Sequence, residues 1–401
     1  MKPLSILLVI GTRPEAIKMA PVVRELRKEA GIKTVVISTA QHREMLDQVL
    51  DLFDIVPDID LGIMQPRQSL SSIIGRTLQR LDPILAAQVP DVLLVQGDTT
   101  TAFAAALAAF HRGIPIGHIE AGLRSNNRMN PFPEEMNRRL ISSVTTIHFA
   151  PTEQSAENLR REGVAPENIL VTGNTVIDAL LEIVKSRRNL LDPYLPPGFV
   201  RNGHRLLLVT AHRRENWNGP LKQLCEALAE LARELPELRI LFPMHLNPAV
   251  RETVIPALSN LPNVALTDPL PYGAFVEAMA SSYLILTDSG GVQEEAPSLG
   301  KPVLVFRETT ERPEGMALNA AKLVGTQRAD IVRATRNLLH NESEYRRMTG
   351  APNPYGDGRA AHRIVRALLH HFDSSSRPGP LVSHLAPPTQ ELSRRARIAS
   401  A

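Results

Sequence analysis

The chain has a single cysteine, Cys225, which rules out an internal disulfide framework and any metal site built from several thiolates. Cys225 lies in an amphipathic helical stretch, where packing is its expected role. Aromatic residues make up only 4% of the sequence and no basic run is interleaved with stacking side chains, so no nucleic-acid partner is expected. Long apolar runs are missing too. The longest, Ala102 to Phe110, is about half of what a bilayer span requires, so no membrane segment is expected. The apolar run Leu4 to Ile10 passes straight into Gly11-Thr12-Arg13-Pro14-Glu15 without a small-residue cleavage site. It therefore reads as a first strand rather than a signal peptide, and the protein as cytoplasmic. Charge of one sign is also lacking: 45 Lys and Arg stand against 42 Asp and Glu.

What is present is an ordinary globular composition, 43% hydrophobic and 22% charged, spread over 401 residues. That length exceeds one ordinary core, and two domains of about 150 to 200 residues are the default. Short β-rich apolar runs alternate with helical patterns, the pattern of a parallel sheet with helices on both faces. The strands predicted in the first half are Ser5 to Ile10, Lys33 to Ser38, Val92 to Gln96, Ile114 to Ile119, Thr146 to Phe149 and Ile169 to Val171. A second series runs Leu206 to Thr210, Arg239 to Phe242, Asn263 to Leu266, Tyr283 to Leu286, Pro302 to Val305 and Lys322 to Val324. The fold class is thus α/β, two Rossmann-like doubly wound domains with a cleft between their strand ends. The expected divisions are 1–173, 174–358, a helix over 359–372 packing back on the first domain, and a Pro- and Ser-rich disordered tail over 373–401.

The stretch from Thr287 to Gly315 organises the chemistry. An apolar strand breaks at Asp288-Ser289-Gly290-Gly291 into a segment of helical spacing. Two glycines without Cβ atoms and the free N–H groups of a helix start can meet a phosphate there, with the Ser289 hydroxyl as a further donor. Glu294 and Glu295 follow, and one carboxylate can accept from both hydroxyls of a ribose. An ordinary βα turn with a solvated acidic face is the structural alternative. Arg307, Glu308, Arg312 and Glu314 in the loop after the next strand favour the functional one.

In an open parallel sheet ligands gather at the carboxyl ends of strands. The first predicted strand ends in Gly11-Thr12-Arg13-Pro14-Glu15, with Lys18 one turn inside the helix, so that Arg13 and Lys18 can face an anion. Neither the Walker ending nor the full dinucleotide fingerprint is present, and no redox cofactor is expected. The third predicted strand ends at Asp98, which either serves chemistry or caps the following Ala-rich helix. The fourth ends in His118-Ile119-Glu120-Ala121-Gly122-Leu123-Arg124, where a structural Glu120–Arg124 ion pair competes with a catalytic Glu120. In Pro133-Glu134-Glu135-Met136-Asn137-Arg138 helical spacing puts Glu134 and Arg138 on one face, although dipole compensation alone explains the acidic pair. In the second half His212, with Arg213 and Arg214, follows the first strand, and His245 follows the next. A histidine there holds either protonation state near neutral pH. His212 and His245 lack metal-type spacing with a carboxylate, and no metal is expected.

Taken together, GTRPEAIKMAP, QHREML, QGDTTT, HIEAGLRS, PFPEEMNRR, TAHRREN, MHLNP and LTDSGGVQEEAPSLGKPVLVFRETTERPEG resemble, in order, the non-hydrolysing UDP-N-acetylglucosamine 2-epimerases. The resemblance covers Leu4 to about His371 and implies a glycosyltransferase-B type fold, usually homodimeric. The reaction it implies is interconversion of UDP-N-acetylglucosamine and UDP-N-acetylmannosamine in the bacterial cytoplasm, feeding surface polysaccharide synthesis, with no cofactor. By the same resemblance Asp98, Glu120, Glu134, Arg138 and His212 match the catalytic set. Arg13, Lys18, Ser289, Gly290, Gly291, Glu295 and Arg312 match nucleotide and pyrophosphate ligands. His245 and Phe275 join the substrate-binding side, although the segment Pro269 to Phe275 matches only in part. Gln41, His42, Arg67 and Gln68 match a pocket where some members bind a second, activating UDP-N-acetylglucosamine. The rival readings are a glycosyltransferase of the same type, a hydrolysing epimerase and a non-catalytic sugar-nucleotide sensor.

Overall fold

Runs of Val, Leu and Ile become strands here because both faces of a parallel sheet are covered by helices, so every strand position can be apolar. The computed structural model describes residues 3–39, 43–65, 67–186, 189–200, 204–217, 219–310 and 312–372. The chain divides into two compact units, one of the described residues up to Ala179 together with those from Tyr355 on, the other Leu180–Pro354.

In the first unit the strands are β1 (Leu4–Ile10), β2 (Ile32–Ser38), β3 (Ile59–Asp60), β4 (Val92–Gln96), β5 (Ile116–Ile119), β6 (Ile147–Ala150) and β7 (Ile169–Val171), in the spatial order β3-β2-β1-β4-β5-β6-β7. Their pairing is parallel, and the order reverses between β1 and β4. Strand β3 is not among the strands expected from the sequence. Two edge residues make no apolar run long enough to read. The core sheet is sealed by side chains such as Leu7, Ile37, Leu93 and Leu81, all fully buried. Gly122, in the turn after β5, has φ of 90°, and a Cβ there would lie 2.2 Å from the Ser155 carbonyl oxygen, so only glycine fits.

The helix Ala360–Phe372 belongs to this unit and packs on the helix Arg13–Lys28. The Asp178 carboxylate accepts from the Ala360 and Ala361 amides, 3.1 and 2.9 Å, serving the N–H groups that a helix start leaves open. Arg363 donates to both Asp357 oxygens at 2.7 Å and to the Thr172 carbonyl at 3.0 Å.

The second unit repeats the plan with β8 (Arg205–Thr210), β9 (Leu238–Pro243), β10 (Val264–Thr267), β11 (Leu284–Thr287), β12 (Val303–Val305) and β13 (Ala321–Leu323), in the order β10-β9-β8-β11-β12-β13. All pairs are parallel, and the reversal falls between β8 and β11. Phe242 and Phe306 are fully buried in its core, a burial worth about 2 to 3 kcal/mol each. The two Rossmann-like domains expected from the sequence are the fold observed. Among the described residues no helix is long and apolar enough to cross a membrane.

Candidate functional site

In the first unit the ends of β1, β4 and β5 stand side by side, and the register Gln96↔Ile119 brings the next residues, Gly97-Asp98 and Glu120, onto neighbouring strand ends. Glu120 has φ of 65°, a left-handed conformation that costs a non-glycine residue about 1 kcal/mol or more. Its carboxylate forms an ion pair with the Lys18 ammonium and accepts from Gln96 Nε2 at 3.1 Å. Arg124, the partner that the sequence offers, goes elsewhere. Its guanidinium binds Glu162, 2.8 Å through Nε, and Ser142 Oγ at 3.1 Å. The Glu120–Arg124 pair therefore does not form, and Glu120 joins the cluster around Lys18. Lys18 in turn faces a carboxylate in addition to lying one turn inside the helix that Arg13 opens.

Asp98 is not a helix cap. Thr99 takes that place, its side chain accepting from the Ala102 amide at 3.1 Å. Arg138 reaches Asp98 at 2.7 Å and Glu135 at 3.6 Å. Burial pushes the Asp98 carboxyl above the usual range; Arg138 and Lys18 pull it down, and the charges of Glu120 and Glu134 push it further up. Glu134 thus acts on Asp98, while the fully buried Glu135 accepts from the Ser125 amide and from Arg139, both at 2.9 Å. The acidic pair thus divides: Glu135 is tied into hydrogen bonds, and the negative charge of Glu134 acts on Asp98 from further off.

Several residues outside the expected site hold this cluster. His118 Nε2–H donates to the Gly97 carbonyl at 2.7 Å, and burial brings its pKa down to about 4, so it is neutral. Asn137 Nδ2 donates to the Asp98 carbonyl at 2.9 Å. Glu15, 2% exposed, accepts from the Gly11 and Thr12 amides at 2.6 and 2.7 Å and from the Thr99 hydroxyl. It thereby ties the loop after β1 to the loop after β4. Burial outweighs those three donors and raises its pKa to about 7.

In the second unit the register Thr210↔Thr287 sets the loop after β8 beside the loop after β11, and the two threonine hydroxyls meet at 2.5 Å. Asp288, fully buried, accepts from the His212 amide at 3.0 Å, the Arg213 amide at 2.9 Å and Asn216 Nδ2 at 3.0 Å. His212 Nδ1 lies 3.2 Å from Asp288 Oδ1. Burial holds the His212 pKa below the usual imidazole value; Asp288 opposes this, and Arg213, His245 and Arg307 reinforce it. Ser289 caps the short helix Gly290–Glu295, its side chain accepting from Val292 N at 3.5 Å. A Cβ on Gly291 would meet nothing closer than Glu295 Oε1 at 3.6 Å. The protein itself thus has no steric need for glycine there.

The carboxylates after this turn are engaged. Glu294 pairs with Arg312, and Glu295 accepts from the buried Tyr272 hydroxyl at 2.9 Å. His245 Nδ1 accepts from the Asn247 amide at 3.1 Å, and its ring lies 5.7 Å from Trp217. Phe275 is half-buried in the first turn of the helix Tyr272–Ser281. Of the residues matched to an activator pocket, Gln41 and His42 lie outside the described residues. Arg67 is exposed, with φ of 53°, and Gln68 Oε1 is enclosed without a hydrogen-bond partner among the described residues.

Comparison with known proteins adds the family. The family model described as UDP-N-acetylglucosamine 2-epimerase matches residues 24–369. The UDP-N-acetylglucosamine 2-epimerase of Yersinia pestis is 52% identical over 375 residues, covering 92% of this chain and 99% of that protein. Its counterpart in Escherichia coli K12 is 52% identical over 372 residues, covering 92% and 99%. Among solved structures, the Neisseria meningitidis UDP-GlcNAc 2-epimerase bound to UDP-GlcNAc superposes with a TM-score of 0.83 at 48% identity, covering 91% of this chain and all of that one.

Proposed function

Because the chain belongs to the UDP-N-acetylglucosamine 2-epimerase family, we propose that it interconverts UDP-N-acetylglucosamine and UDP-N-acetylmannosamine, as a non-hydrolysing isomerase. The observation that carries this reading is the pair of carboxylates, Asp98 and Glu120, on adjacent strand ends with Arg138 and Lys18 against them.

The chemistry explains why such a group is needed. The C2 hydrogen of the sugar is not flanked by a carbonyl, so a base alone does not remove it at a useful rate. Breaking the C1–O bond first, with the electron pair leaving on UDP, gives C1 oxocarbenium character and acidifies C2. Arg13, His212 and the donors of the Ser289–Gly291 turn stabilise the departing diphosphate, as fixed dipoles and cations do for developing charge. Glu120 or Asp98 takes the C2 proton, leaving 2-acetamidoglucal. A second group returns a proton to the other face of C2 while UDP re-adds at C1. The upward shift of Asp98 suits it to carry a proton at this stage. Glu134 and Arg138 tune Asp98, and Arg312, Glu295, Lys18, His245 and Phe275 complete substrate binding.

The same premise extends to a homodimer, to activation by a second UDP-N-acetylglucosamine at Arg67 and Gln68, and to a product that feeds surface polysaccharide synthesis. The Neisseria meningitidis structure, which holds UDP-GlcNAc, supports the substrate. Incubation with UDP-N-acetylglucosamine in heavy water, followed by proton NMR, tests the proposal. Both epimers are expected as nucleotide sugars deuterated at C2. Free N-acetylmannosamine would point to the hydrolysing reaction instead, and an absence of exchange would overturn both.

A further inference from the structure

The contacts of Asp288 go beyond holding a loop. Its carboxylate lies at the end of β11, at the reversal of strand order, and it is fully shielded from solvent. Three donors from the loop after β8, the His212 and Arg213 amides and Asn216 Nδ2, converge on it within 3.0 Å. The His212 ring then turns Nδ1 to Asp288 Oδ1 at 3.2 Å, while nearly half of the side chain, 45%, stays accessible. An ionised carboxylate only accepts hydrogen bonds, so Asp288 favours a proton on Nδ1, the ring nitrogen that faces it. The other nitrogen, Nε2, is left for a ligand.

We propose that Asp288 is the positioning residue of His212, fixing the imidazole as the Nδ1–H tautomer so that Nε2 is the nitrogen that meets the substrate diphosphate. The inference rests on His212 serving the departing diphosphate, as proposed for the epimerase reaction. Ser289 is the next residue in the chain, so the carboxylate that aims His212 is continuous with the turn that carries the Ser289 hydroxyl and the Gly290-Gly291 backbone. One group thus sets two diphosphate-facing elements in a common register. The arrangement follows a general logic, in which a buried acid holds the tautomer and orientation of a working histidine without itself gaining a proton. Burial, together with the charges of Arg213, His245 and Arg307, disfavours the doubly protonated imidazolium in the free protein, and Asp288 opposes them. An arriving diphosphate tips that balance toward protonation.

Selective ¹⁵N labelling of histidine, with His212 assigned by its loss in His212→Gln, reads the tautomer directly in the full chain. The wild type is expected to show the Nδ1–H form, and added UDP is expected to move the Nε2 resonance and leave Nδ1 protonated. A wild type in the Nε2–H form, or a UDP response confined to Nδ1, overturns the proposal. This readout needs no turnover, so it judges Asp288 even if the epimerisation test fails. A second arm uses activity. Asp288→Asn presents an amide donor to Nδ1 and is expected to lower kcat by about 100-fold or more. In a His212→Ala background the same change is expected to cost less than about threefold further, since the two act as one unit. A full, additive second loss would mean that Asp288 serves the fold alone, which also overturns the proposal.

Discussion

The two units are built on one plan and dress it with different side chains. Each has a parallel sheet whose order reverses between two neighbouring strands, β1 and β4 in one, β8 and β11 in the other. Each places a buried carboxylate there that bridges the two loops, Glu15 in the first and Asp288 in the second. Elsewhere in the first unit Lys18 pairs with Glu120 and Arg138 with Asp98, a set of paired acids and bases. Around Asp288 gather His212, Ser289 and two glycines, a set of donors. The difference teaches that topology supplies a place where loops converge, while the side chains at the strand ends decide its chemistry; on the proposed function the first place moves protons and the second holds an anion.

That comparison can be broken most severely at the acid/base cluster. Glu120→Gln, and separately Asp98→Asn, are expected to lower C2 exchange by roughly 1,000-fold, the scale of a lost general acid or base. UDP affinity, measured by calorimetry, is expected to hold. Equal losses of binding and turnover would erase the division of labour. Next comes Gly291→Ala. A Cβ there clashes with nothing in the protein, so the melting temperature is expected to stay or rise slightly. UDP binding is expected to fall roughly 10- to 100-fold, about 1.4 to 2.8 kcal/mol, because the backbone is then kept from the phosphate. A binding constant unchanged by the added methyl would place the diphosphate elsewhere.

The third test sharpens the contrast through pH. Glu15 titrates near 7 in the folded chain against 4.5 as its ordinary value. Between those values the folded state holds a proton that the unfolded state has lost. The contribution of this group to stability is therefore greatest below about pH 4.5 and declines as pH rises through 7, by at most a few kcal/mol. Melting curves of the wild type and Glu15→Gln are expected to show that component only in the wild type. A pH profile identical in the two would remove the special position of Glu15. The smallest effect is expected at the periphery of the first unit. Asp178→Asn keeps one acceptor for the Ala360 and Ala361 amides and is expected to cost about 1 kcal/mol in denaturant unfolding, with turnover intact.

Much of the fold is legible in the amino-acid sequence. Every strand but β3 overlaps a stretch expected from the sequence, and apart from the partly exposed edge strand β13 these are apolar runs, as a sheet covered on both faces demands; the strand ends then locate the polar residues that chemistry needs. Three questions lie beyond local pattern for physical reasons. Whether Asp98 or Thr99 caps the helix turns on one residue of register, which periodicity does not resolve. Whether Glu120 pairs with Arg124 depends on Glu162, 38 residues further on, which claims that arginine. The roles of Glu294 and Glu295 depend on Arg312 and Tyr272, both distant in the chain. Asp288 and Glu15 are visible as letters of their motifs, but an acid at a strand end or in a first helical turn has an ordinary local explanation. Only burial reveals it as a bridge.

The sequence by itself determined the two sheets, the strand ends that bear polar residues and the glycine turn, since local periodicity and backbone sterics encode these over a few neighbouring positions. Tertiary structure alone decided which carboxylate meets which cation, which histidine nitrogen faces an acid and which acids lose their water. Those outcomes depend on distances between segments tens of residues apart and on solvent exclusion, neither of which is written in any local stretch of the chain.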